Sequence, residues 1–504
     1  MNGTLKYRGK AFSAQLSRDA LSLFLESSTK PILTVPLESV FAVHKKAETN
    51  NIFTLFTFQS KDVRKVLYEF EVVSNNNEEE TKKWIENTRI LTFRLDQCEE
   101  GSEVLSSVGT NDFGSQRRVL LLLNPFSGKK QGIKLFEKHV KPMLDVAHLS
   151  YVVIKTEHAQ HALQYCKESD EILNFTDIVG MGGDGIIYEI INGLGSRKDW
   201  KSILQRVRIG HIAGGTSNAL AVSSGAQIKT GKPAHPEYSA FIVARGFHQP
   251  MDLMSCFQAP NKHHIAFLSV TWTAIADVDI GTEGMRWLGG LRNTVGALKQ
   301  VITKKSYRGK IKYLKEKAVL KKENSLRNVK ENIKRYSSFT PFASPEEESS
   351  SSERIKCPLL ERYFTEEFKT MAPDWCSSTN DTSTFENNNL EIHEVEDKFT
   401  VFIAANIAHL SYDFIASPMA HHHDGNIDLL FMNDQVSRGG LLNMFLDAEK
   451  GDHIFDQCVN LSKVKAFLLS PVDPGSFVVV DGEAVDYSDI LVEVHPSACN
   501  LLTL

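Results

Sequence analysis

The residues best suited to chemistry form one glycine-rich segment, MGGDGIIYEIINGL at 181–194, which follows an apolar run and opens a helical pattern. Glycines at 182, 183 and 185 let the backbone approach a ligand closely, and amide groups at a helix N-terminus favour phosphate. Asp184 stands among these glycines. A carboxylate beside a polyphosphate is repulsive unless a metal ion or a transferable proton offsets it. The segment therefore indicates phosphoryl transfer rather than hydride transfer, with helix capping by Asp184 as the alternative.

Two further glycine-bearing turns follow strand-like runs, NPFSGKKQG at 124–132 and HIAGGTSNALA at 211–221. Loops that follow successive parallel strands emerge at one edge of a sheet, so we expect the three turns to converge on one nucleotide. None of them fits the pattern G-x-x-x-x-G-K-[ST], which argues against a P-loop protein.

The elements that must position these turns are read from the hydrophobic pattern. From Arg117, strand-like and helical segments alternate, which predicts a parallel α/β sheet over 117–248. Strand-like segments then recur with few helices, so a mostly β domain is expected over 249–313 and 399–504. The predicted fold class is an α/β nucleotide-binding domain followed by a β-sandwich domain.

Three other regions have a different character. Residues 1–96 alternate short strand-like runs with turns and end in a helix with Trp84, which is typical of a β-rich module, either pleckstrin-like or a cap on its neighbour. Residues 97–116 are polar and predict a linker. Residues 314–398 are lysine-rich, then acidic and rich in serine, so we expect a largely disordered or regulatory insertion. Ser344 precedes a proline there and is a candidate for a proline-directed kinase.

Length and composition exclude several classes of protein. The chain has 504 residues, which is too long for a peptide hormone or a lone binding module. Its formal net charge of −5 predicts no nucleic-acid partner. Seven scattered cysteines without CxxC pairs indicate a reducing compartment. The first residues lack the apolar core of a signal peptide, and no window reaches ~18 consecutive apolar residues, so we expect a cytoplasmic protein.

The glycine turns belong to a longer series of motifs. In order, NPFSGKKQG, GGDGIIYEIINGL, GGTSNALA, SVTWTAIADVDIGTEGMRWLGGLR and VVVDGEAVDYSDILVEVHP resemble the diacylglycerol-kinase-type catalytic fold, which is related to that of the NAD kinases, and within it the sphingosine kinases. The resemblance covers residues from about 117 to 500, apart from the insertion. It implies transfer of phosphate from ATP, with Mg²⁺, to the primary hydroxyl of sphingosine or a related sphingoid base.

The resemblance also implies roles for individual residues. Asp184 would take the hydroxyl proton, and Glu189 would be a supporting carboxylate, although its position equally suits an exposed helical residue. The residues implied to surround ATP are Asn124, Gly128, Lys129, Thr156, Gly182, Gly183, Gly185, Gly215, Thr216, Ser217, Arg286, Arg292, Gly482 and Glu483. Arg286 and Arg292 are six positions apart and would not share a face of one straight helix, so part of GMRWLGGLR is expected to be irregular.

The lipid head group is assigned to the ADVD segment. Asp279 matches the residue that recognises the polar head of a sphingoid base, and a primary ammonium calls for such a carboxylate. If this segment is extended, Asp277 points to the opposite face and has a structural role. Ser269 lies earlier on the same segment and is a further hydroxyl partner for the substrate.

Alternatives remain open at this point. A diacylglycerol or ceramide kinase would keep the fold but would gain nothing from Asp279, and a membrane-binding adaptor would have no use for Asp184. The basic stretch 304–335 favours peripheral association with anionic membranes, with a solvated charge run as the equal alternative. A homodimer is also considered. We expect no metal ligands from His421, His422 and His423, because consecutive histidines on a strand would not converge on one ion and no Cys or His partner is spaced nearby. They are predicted to form a polar turn before GNIDLLFM.

Overall fold

A computed structural model describes residues 1–25, 28–59, 64–93, 117–128, 130–226, 233–281, 291–317, 355–375 and 389–504. Among these residues, no helix combines the length and the apolar character needed to cross a membrane.

The N-terminal part is one antiparallel sheet closed by a helix. Its strands are β1 (Asn2–Tyr7), β2 (Lys10–Leu16), β3 (Ala20–Phe24), β4 (Leu33–Pro36), β5 (Val40–Lys45), β6 (Ile52–Gln59) and β7 (Arg64–Val72). They pair in the order β4-β3-β2-β1-β7-β6-β5, and a 3₁₀ turn, Leu37–Ser39, precedes β5. Helix α1 (Asn77–Thr92) buries Trp84 against Phe53, with ring centroids 6.1 Å apart. The β-rich character expected for this region is confirmed.

The next part alternates strands and helices. The strands are β8 (Arg118–Leu123), β9 (Ser150–Lys155), β10 (Asp177–Gly182) and β11 (Arg208–Ala213). The helices are α2 (Gly132–Leu135), α3 (Lys141–Val146), α4 (His161–Glu168), α5 (Asp184–Gly195), α6 (Trp200–Arg206), α7 (Ala219–Ala221) and α8 (Pro236–Arg245). A π turn, Phe136–Val140, joins α2 to α3, and another, Val222–Ala226, follows α7. The strands pair in parallel in the order β9-β8-β10-β11, as their apolar runs predict.

The remaining part is mostly β structure. Its strands are β12 (His248–Gln258), β13 (Lys262–Ala266), β14 (Ser269–Thr273), β15 (Tyr307–Glu316), β16 (Leu390–Ala405), β17 (His409–Ser411), β18 (Phe414–Ile415), β19 (Ile427–Asn433), β20 (Asn460–Val464), β21 (Ala466–Pro471), β22 (Val478–Val480), β23 (Glu483–Val485) and β24 (Ile490–Leu502). Its helices are α9 (Ala274–Gly281), α10 (Leu291–Thr303), α11 (Pro358–Tyr363), α12 (Thr365–Met371) and α13 (Arg438–Asp447).

One strand joins the α/β part to the β part. The C-terminal end of β24 pairs in parallel with β11, and β24 also pairs antiparallel with β12 and β21. The described strands β8–β16 and β19–β24 therefore form a single 15-stranded sheet. The predicted α/β domain followed by a β-sandwich domain is confirmed as the fold class.

The predicted insertion is shorter than expected. Strand β15 continues to Glu316 and pairs with β16 from Leu390, so both strands extend into the 314–398 segment. Within it, Leu360 on α11, Phe364 between the two helices and Phe368 on α12 are buried in the main core. The average polarity of the segment concealed these apolar residues, which are spaced by four. Ser344 lies outside the described residues.

The ADVD segment also differs from its prediction. Asp277 and Asp279 lie on helix α9, not on an extended chain. The two carboxylates are separated by the rotation of a helix rather than by the alternation of a strand.

Candidate functional site

The site lies at a point where the order of the strands reverses. From β8 the chain moves to β9 on one side and then to β10 on the other side, so the loops that follow β8 and β10 diverge. Such a point opens a crevice at the carboxyl edge of a parallel sheet. Asn124 and Gly182 flank this crevice, because a Cβ placed on Gly182 would lie 3.4 Å from the Cβ of Asn124.

The three glycine turns contact one another at this edge. The amides of Gly214 and Gly215 both donate to the carbonyl of Gly182, at 2.8 and 2.9 Å. A Cβ on Gly215 would lie 2.4 Å from the Cα of Gly183, and a Cβ on Gly128 would lie 2.6 Å from the carbonyl oxygen of Gly214. Real Cβ atoms do not make such contacts, so these glycines are required for the loops to meet. The structure therefore brings together the three turns that the sequence analysis expected to converge.

Asp184 is the first residue of α5 and has a second local role. Its two carboxylate oxygens accept the amides of Ala219 and Leu220, at 2.9 and 3.0 Å. Asp184 thus caps α7, the short helix that follows the third glycine turn, rather than its own helix. Its side chain is 11 % exposed, which leaves it accessible from the crevice.

Glu189 contacts backbone rather than the crevice. Its oxygens accept the amides of Gln160 and Ala162 at the start of α4, both at 3.0 Å. This ties α5 to the loop that carries Thr156, whose amide donates to the carbonyl of Leu123 at 2.8 Å. The contacts suit a residue that positions the loop.

The turn between β22 and β23 reaches the site from the β part of the molecule. Gly482 has a positive φ of 86°, which glycine adopts without strain. The Oε1 atom of Glu483 lies 3.2 Å from the place of a Cβ on Gly185, and the Oδ2 atom of Asp279 lies 3.7 Å from the place of a Cβ on Gly482. This turn therefore lies between the start of α5 and the ADVD helix.

Asp481 is a buried residue of this turn that the sequence analysis did not single out. Its carboxylate accepts three backbone amides, from Phe267, Leu268 and Ser269, each at 2.9 Å. Burial raises the pKa of Asp481 to about 7, although the three amides act in the opposite direction. The contact fixes the start of β14, where Ser269 itself is buried. Its place directly before Gly482 was the signal that could have identified it.

The two aspartates of ADVD have different surroundings. The carboxylate of Asp277 accepts the hydroxyls of Tyr307 and Ser476, at 3.0 and 2.7 Å. Burial raises the pKa of Asp277, and these two hydrogen bonds act in the opposite direction. Asp277 therefore ties α9 to β15 and to the loop before β22, whereas Asp279 lies beside the turn that carries Gly482.

An asparagine connects the glycine-rich helix to the β part. The side chain of Asn192 on α5 donates to the carbonyl of Ile265 and accepts its amide, both at 2.8 Å. One turn earlier, the hydroxyl of Tyr188 is 2.7 Å from Nδ1 of His264. Both partners lie on β13, so α5 is held against this strand at two levels.

The structure does not describe every predicted site residue in full. Lys129 and Arg286 are outside the described residues, and Arg292 is described only as a position in the backbone of α10. Thr216 and Ser217 are half-buried in the third glycine turn.

The three consecutive histidines occupy a turn before β19, not a strand. The ring nitrogens of His421, His422 and His423 include one from each residue within 4.8 Å of the others. The predicted turn is confirmed, and a turn lets the three rings approach one another, which the alternation of a strand would not. Neutral imidazoles are ligands for transition metals, so this turn could hold such an ion.

The chain is similar to known lipid kinases in family models and in sequence. The family model "Diacylglycerol kinase catalytic domain" matches residues 118–256, and the model "YegS C-terminal NAD kinase beta sandwich-like domain" matches residues 382–503. Human sphingosine kinase 1 is 30 % identical over 386 residues, which cover 75 % of this chain and 89 % of that protein.

More distant relatives also match most of the chain. Sphingoid long chain base kinase 4 of Schizosaccharomyces pombe is 26 % identical, over 84 % of this chain and 81 % of that protein. The crystal structure of a putative diacylglycerol kinase from Bacillus anthracis aligns with a TM-score of 0.50 at 15 % identity, over 81 % of this chain and 98 % of that one. This last likeness concerns the fold alone.

Proposed function

The chain belongs to the sphingosine kinase family of lipid kinases, and from this premise we propose that it transfers the γ-phosphate of ATP to the primary hydroxyl of sphingosine or a related sphingoid base. The product would be sphingosine 1-phosphate or the corresponding 1-phosphate. Lipid phosphorylation with ATP as the donor is what the family has in common, and the choice of a sphingoid base is the specific part of the proposal.

One structural observation supports the choice of a sphingoid base as the substrate. The turn of Gly482 and Glu483 lies against Gly185 at the start of α5 and against Asp279 on α9. The carboxylate of Asp279 is thereby held close to the glycine turns that suit a phosphate. A sphingoid base carries a primary ammonium next to its reacting hydroxyl, and a charge-assisted hydrogen bond to Asp279 would place that hydroxyl near Asp184. Diacylglycerol and ceramide have no ammonium, so Asp279 would not favour them.

In this proposal ATP lies across the three glycine turns. These turns lie at the carboxyl edge of the sheet, where amides at helix N-termini favour phosphate. We assign contacts with ATP to Asn124, Gly128, Lys129, Thr156, Gly182, Gly183, Gly185, Gly215, Thr216, Ser217, Arg286, Arg292, Gly482 and Glu483. The close approach of Gly183 and Gly215 supports the part of this assignment that the structure describes.

Asp184 is proposed to accept the proton of the lipid hydroxyl. As that O–H bond breaks, the hydroxyl oxygen bonds to the γ-phosphorus, and the bond from phosphorus to ADP breaks. A loose transition state of this kind depends mainly on position and on neutralisation of charge. The amides of Ala219 and Leu220 hold the carboxylate of Asp184 in one orientation, which meets the requirement for a fixed position.

The carboxylates of this site fit a magnesium ion bound with ATP. Asp184 and Glu483 supply hard oxygen donors, the type that Mg²⁺ prefers, and Mg²⁺ usually keeps few protein ligands. When bound, the ion would neutralise charge on the phosphate oxygens. A lipid substrate further suggests a cytoplasmic enzyme that associates with the membrane surface, and a homodimer is also proposed.

The proposal is tested by Asp184→Asn, which keeps the shape of the side chain and removes its ability to take a proton. We expect this variant to keep binding ATP and to retain less than about a tenth of the wild-type rate of phosphate transfer to sphingosine. A variant that retains more than a tenth of the rate would contradict the role of Asp184.

A further inference from the structure

The histidine turn before β19 forms a cluster of nitrogen donors that the proposed function does not use. The rings of His421, His422 and His423 form a nearly regular triangle, with centroids 4.9, 4.4 and 4.9 Å apart. One ring nitrogen of each residue lies within 4.8 Å of the other two. All three side chains are half-buried, so they remain accessible to a small ion.

This cluster lies away from the proposed active site. The side chain of His422 contacts Gln249 at the beginning of β12. Gln249 pairs with Leu501, which also pairs with Ile209 near the beginning of β11. The third glycine turn follows the other end of β11. The histidine turn is therefore near the edge of the sheet opposite to the glycine turns.

The spacing of the rings fits a shared transition-metal ion. Zn²⁺ binds imidazole nitrogens at about 2.0–2.1 Å and favours tetrahedral geometry. Around such an ion, the nitrogens lie about 3.4 Å apart and the ring centroids about 5 Å apart. The observed centroid distances are close to this value, whereas the nitrogens are farther apart. Rotation of the rings about their side-chain bonds would bring one nitrogen of each to a single ion.

The middle ring already has the orientation of a metal-binding histidine. Nε2 of His422 is 2.9 Å from Oε1 of Gln249. An amide oxygen can only accept, so Nε2 carries the hydrogen and Nδ1 has the lone pair. Histidines that bind metal ions commonly donate their second N–H group to a carboxylate or a carbonyl, which fixes the tautomer and the ring. Gln249 is thus placed to support coordination through Nδ1 of His422.

The backbone of the turn is held by the strands beneath it. The carbonyl of His422 accepts the amide of Asp252 at 2.6 Å, and the carboxylate of Asp252 accepts the amide of Gly425 at 2.6 Å. The carbonyl of Gly425 accepts Nζ of Lys465 at 2.8 Å. Donors on a fixed turn lose less conformational freedom when they bind an ion.

The lysines near the turn have acidic partners. Nζ of Lys463 is 2.7 Å from Oδ2 of Asp424 and 2.7 Å from Oδ1 of Asp428. Lys465 is 3.6 Å from a carboxylate oxygen of Glu316. Because each ammonium group lies beside a carboxylate, the two lysines repel a bound cation only weakly.

We propose that His421, His422 and His423 together bind one Zn²⁺ ion through their imidazole nitrogens. Three protein ligands leave one position of a tetrahedral ion to water. Mg²⁺ would not compete, because it prefers oxygen ligands. This inference replaces the expectation of no metal ligands, since the turn supplies three donors without a distant partner. It does not depend on the proposed lipid kinase activity.

The test is calorimetric titration with Zn²⁺ of the full chain, free of any histidine tag and stripped with a chelator. Excess Mg²⁺ is present throughout, so that the carboxylates of the proposed active site are occupied. We expect one Zn²⁺ per chain in the wild type. The double variant His421→Ala/His423→Ala keeps the contact of His422 with Gln249 and should bind Zn²⁺ at least about tenfold more weakly. Equal affinity in this variant, or no one-to-one binding in the wild type, would overturn the inference.

Two variants of Gln249 test coordination by His422 directly. Gln249→Glu offers a carboxylate, a stronger acceptor for the N–H group of His422, and should tighten the binding of Zn²⁺. Gln249→Leu removes the acceptor and should weaken this binding about tenfold. A role of Gln249 in packing alone would not move the affinity in opposite directions. Equal affinities in the two variants would refute coordination by His422 through Nδ1.

Matched controls exclude other donors. His158→Ala/His161→Ala removes another pair of neighbouring histidines, with ring centroids 5.0 Å apart, and Cys458→Ser removes an exposed thiol. Both should leave the affinity for Zn²⁺ unchanged, and loss of binding in either would place the ion elsewhere. The unfolding midpoint in chelator verifies that each variant is folded. Added Zn²⁺ should raise this midpoint in the wild type and in both controls, but not in the double variant of the histidine turn.

Discussion

At the scale of single residues, the site depends on how each carboxylate is held. Asp277 and Asp279 are two positions apart on α9, yet Asp277 binds two hydroxyls of neighbouring segments while Asp279 lies beside the turn of Gly482. The sequence alone identified Asp279 through resemblance. It could not show the partners of Asp277, because Tyr307 and Ser476 come from distant parts of the chain.

This difference predicts distinct effects for two similar variants. Asp279→Asn should raise the KM for sphingosine about tenfold or more and reduce the preference over neutral lipids, because the ammonium loses a charged partner. Asp277→Asn should instead lower the thermal stability with a smaller effect on this preference. Kinetics with sphingosine and ceramide measure the KM and the preference, and thermal unfolding measures the stability. An unchanged preference in Asp279→Asn would move recognition of the head group elsewhere.

Asp481 and His211 mark the limit of reasoning from sequence at this scale. His211 lies within the apolar pattern of β11, and its Nδ1 atom is 3.7 Å from Oδ1 of Asp184 only because β10 and β11 pair. Asp481 contacts backbone amides more than 200 residues away in the chain. Such contacts depend on tertiary pairing that no local pattern encodes.

At the scale of elements, the glycine turns were predictable and their exact contacts were not. The convergence of three turns follows from the parallel sheet that the alternating strand and helix pattern predicts. The helical conformation of ADVD was missed, since a short apolar segment fits a strand or a helix equally well.

The contact between two turns gives a test at this scale. Gly215→Ala would place a Cβ 2.4 Å from the Cα of Gly183, so the turns must separate. We expect ATP affinity to fall at least tenfold, as measured by titration with a fluorescent ATP analogue. Gly439→Ala on α13 is the control, because the nearest atom there is 3.7 Å away and alanine favours a helix. Equal affinity in wild type and Gly215→Ala would contradict the account.

The link between α5 and β13 gives a second test. Asn192→Ala leaves the amide and carbonyl of Ile265 without their side-chain partner in a buried place, at a cost of about 1–3 kcal/mol. Because α5 begins with Asp184, we expect kcat to fall roughly tenfold, with little change in the KM for ATP. Asn500→Ala is the control, since this half-buried asparagine also joins two elements. A normal kcat in Asn192→Ala would show that the link does not position Asp184.

At the scale of the whole molecule, the N-terminal sheet is packed against the nucleotide-binding part. Arg245 on α8 donates to the carbonyls of Leu37 and Thr92, at 3.0 and 3.2 Å, and Phe58 stacks on Phe241 with centroids 5.2 Å apart. The sequence predicted a β-rich region but left its attachment open, because the apolar residues of a sheet do not reveal which partner covers them.

Buried histidines predict how stability depends on pH. Among the described residues, burial lowers the pKa of six histidines to about 3 or 4: His44, His248, His263, His409, His422 and His495. These rings are neutral in the folded chain and charged in the unfolded chain below about pH 6.5. The unfolded state therefore binds more protons, and stability is lost as the pH falls from about 6.5 towards 4.

Five of the described buried carboxyls oppose this trend, and among them burial raises the pKa of Asp277 and Asp428. Burial raises the pKa of Asp252, Asp481 and Glu493 to about 6, 7 and 8, so these groups stabilise the fold as the pH falls. Since the histidines outnumber them, we expect the thermal unfolding midpoint to be lower at pH 5 than at pH 7. A midpoint that stays constant or rises towards pH 5 would contradict this balance of burial.

The most direct test of the central claim is transfer of labelled γ-phosphate from Mg-ATP to sphingosine, diacylglycerol and ceramide, measured side by side in mixed micelles with Asp184→Asn as the blank. The account predicts that label enters sphingosine predominantly and that the blank stays near background. Predominant labelling of a neutral lipid would keep the kinase fold and contradict the role of Asp279. Label in none of the three would contradict the proposed activity and favour a binding function.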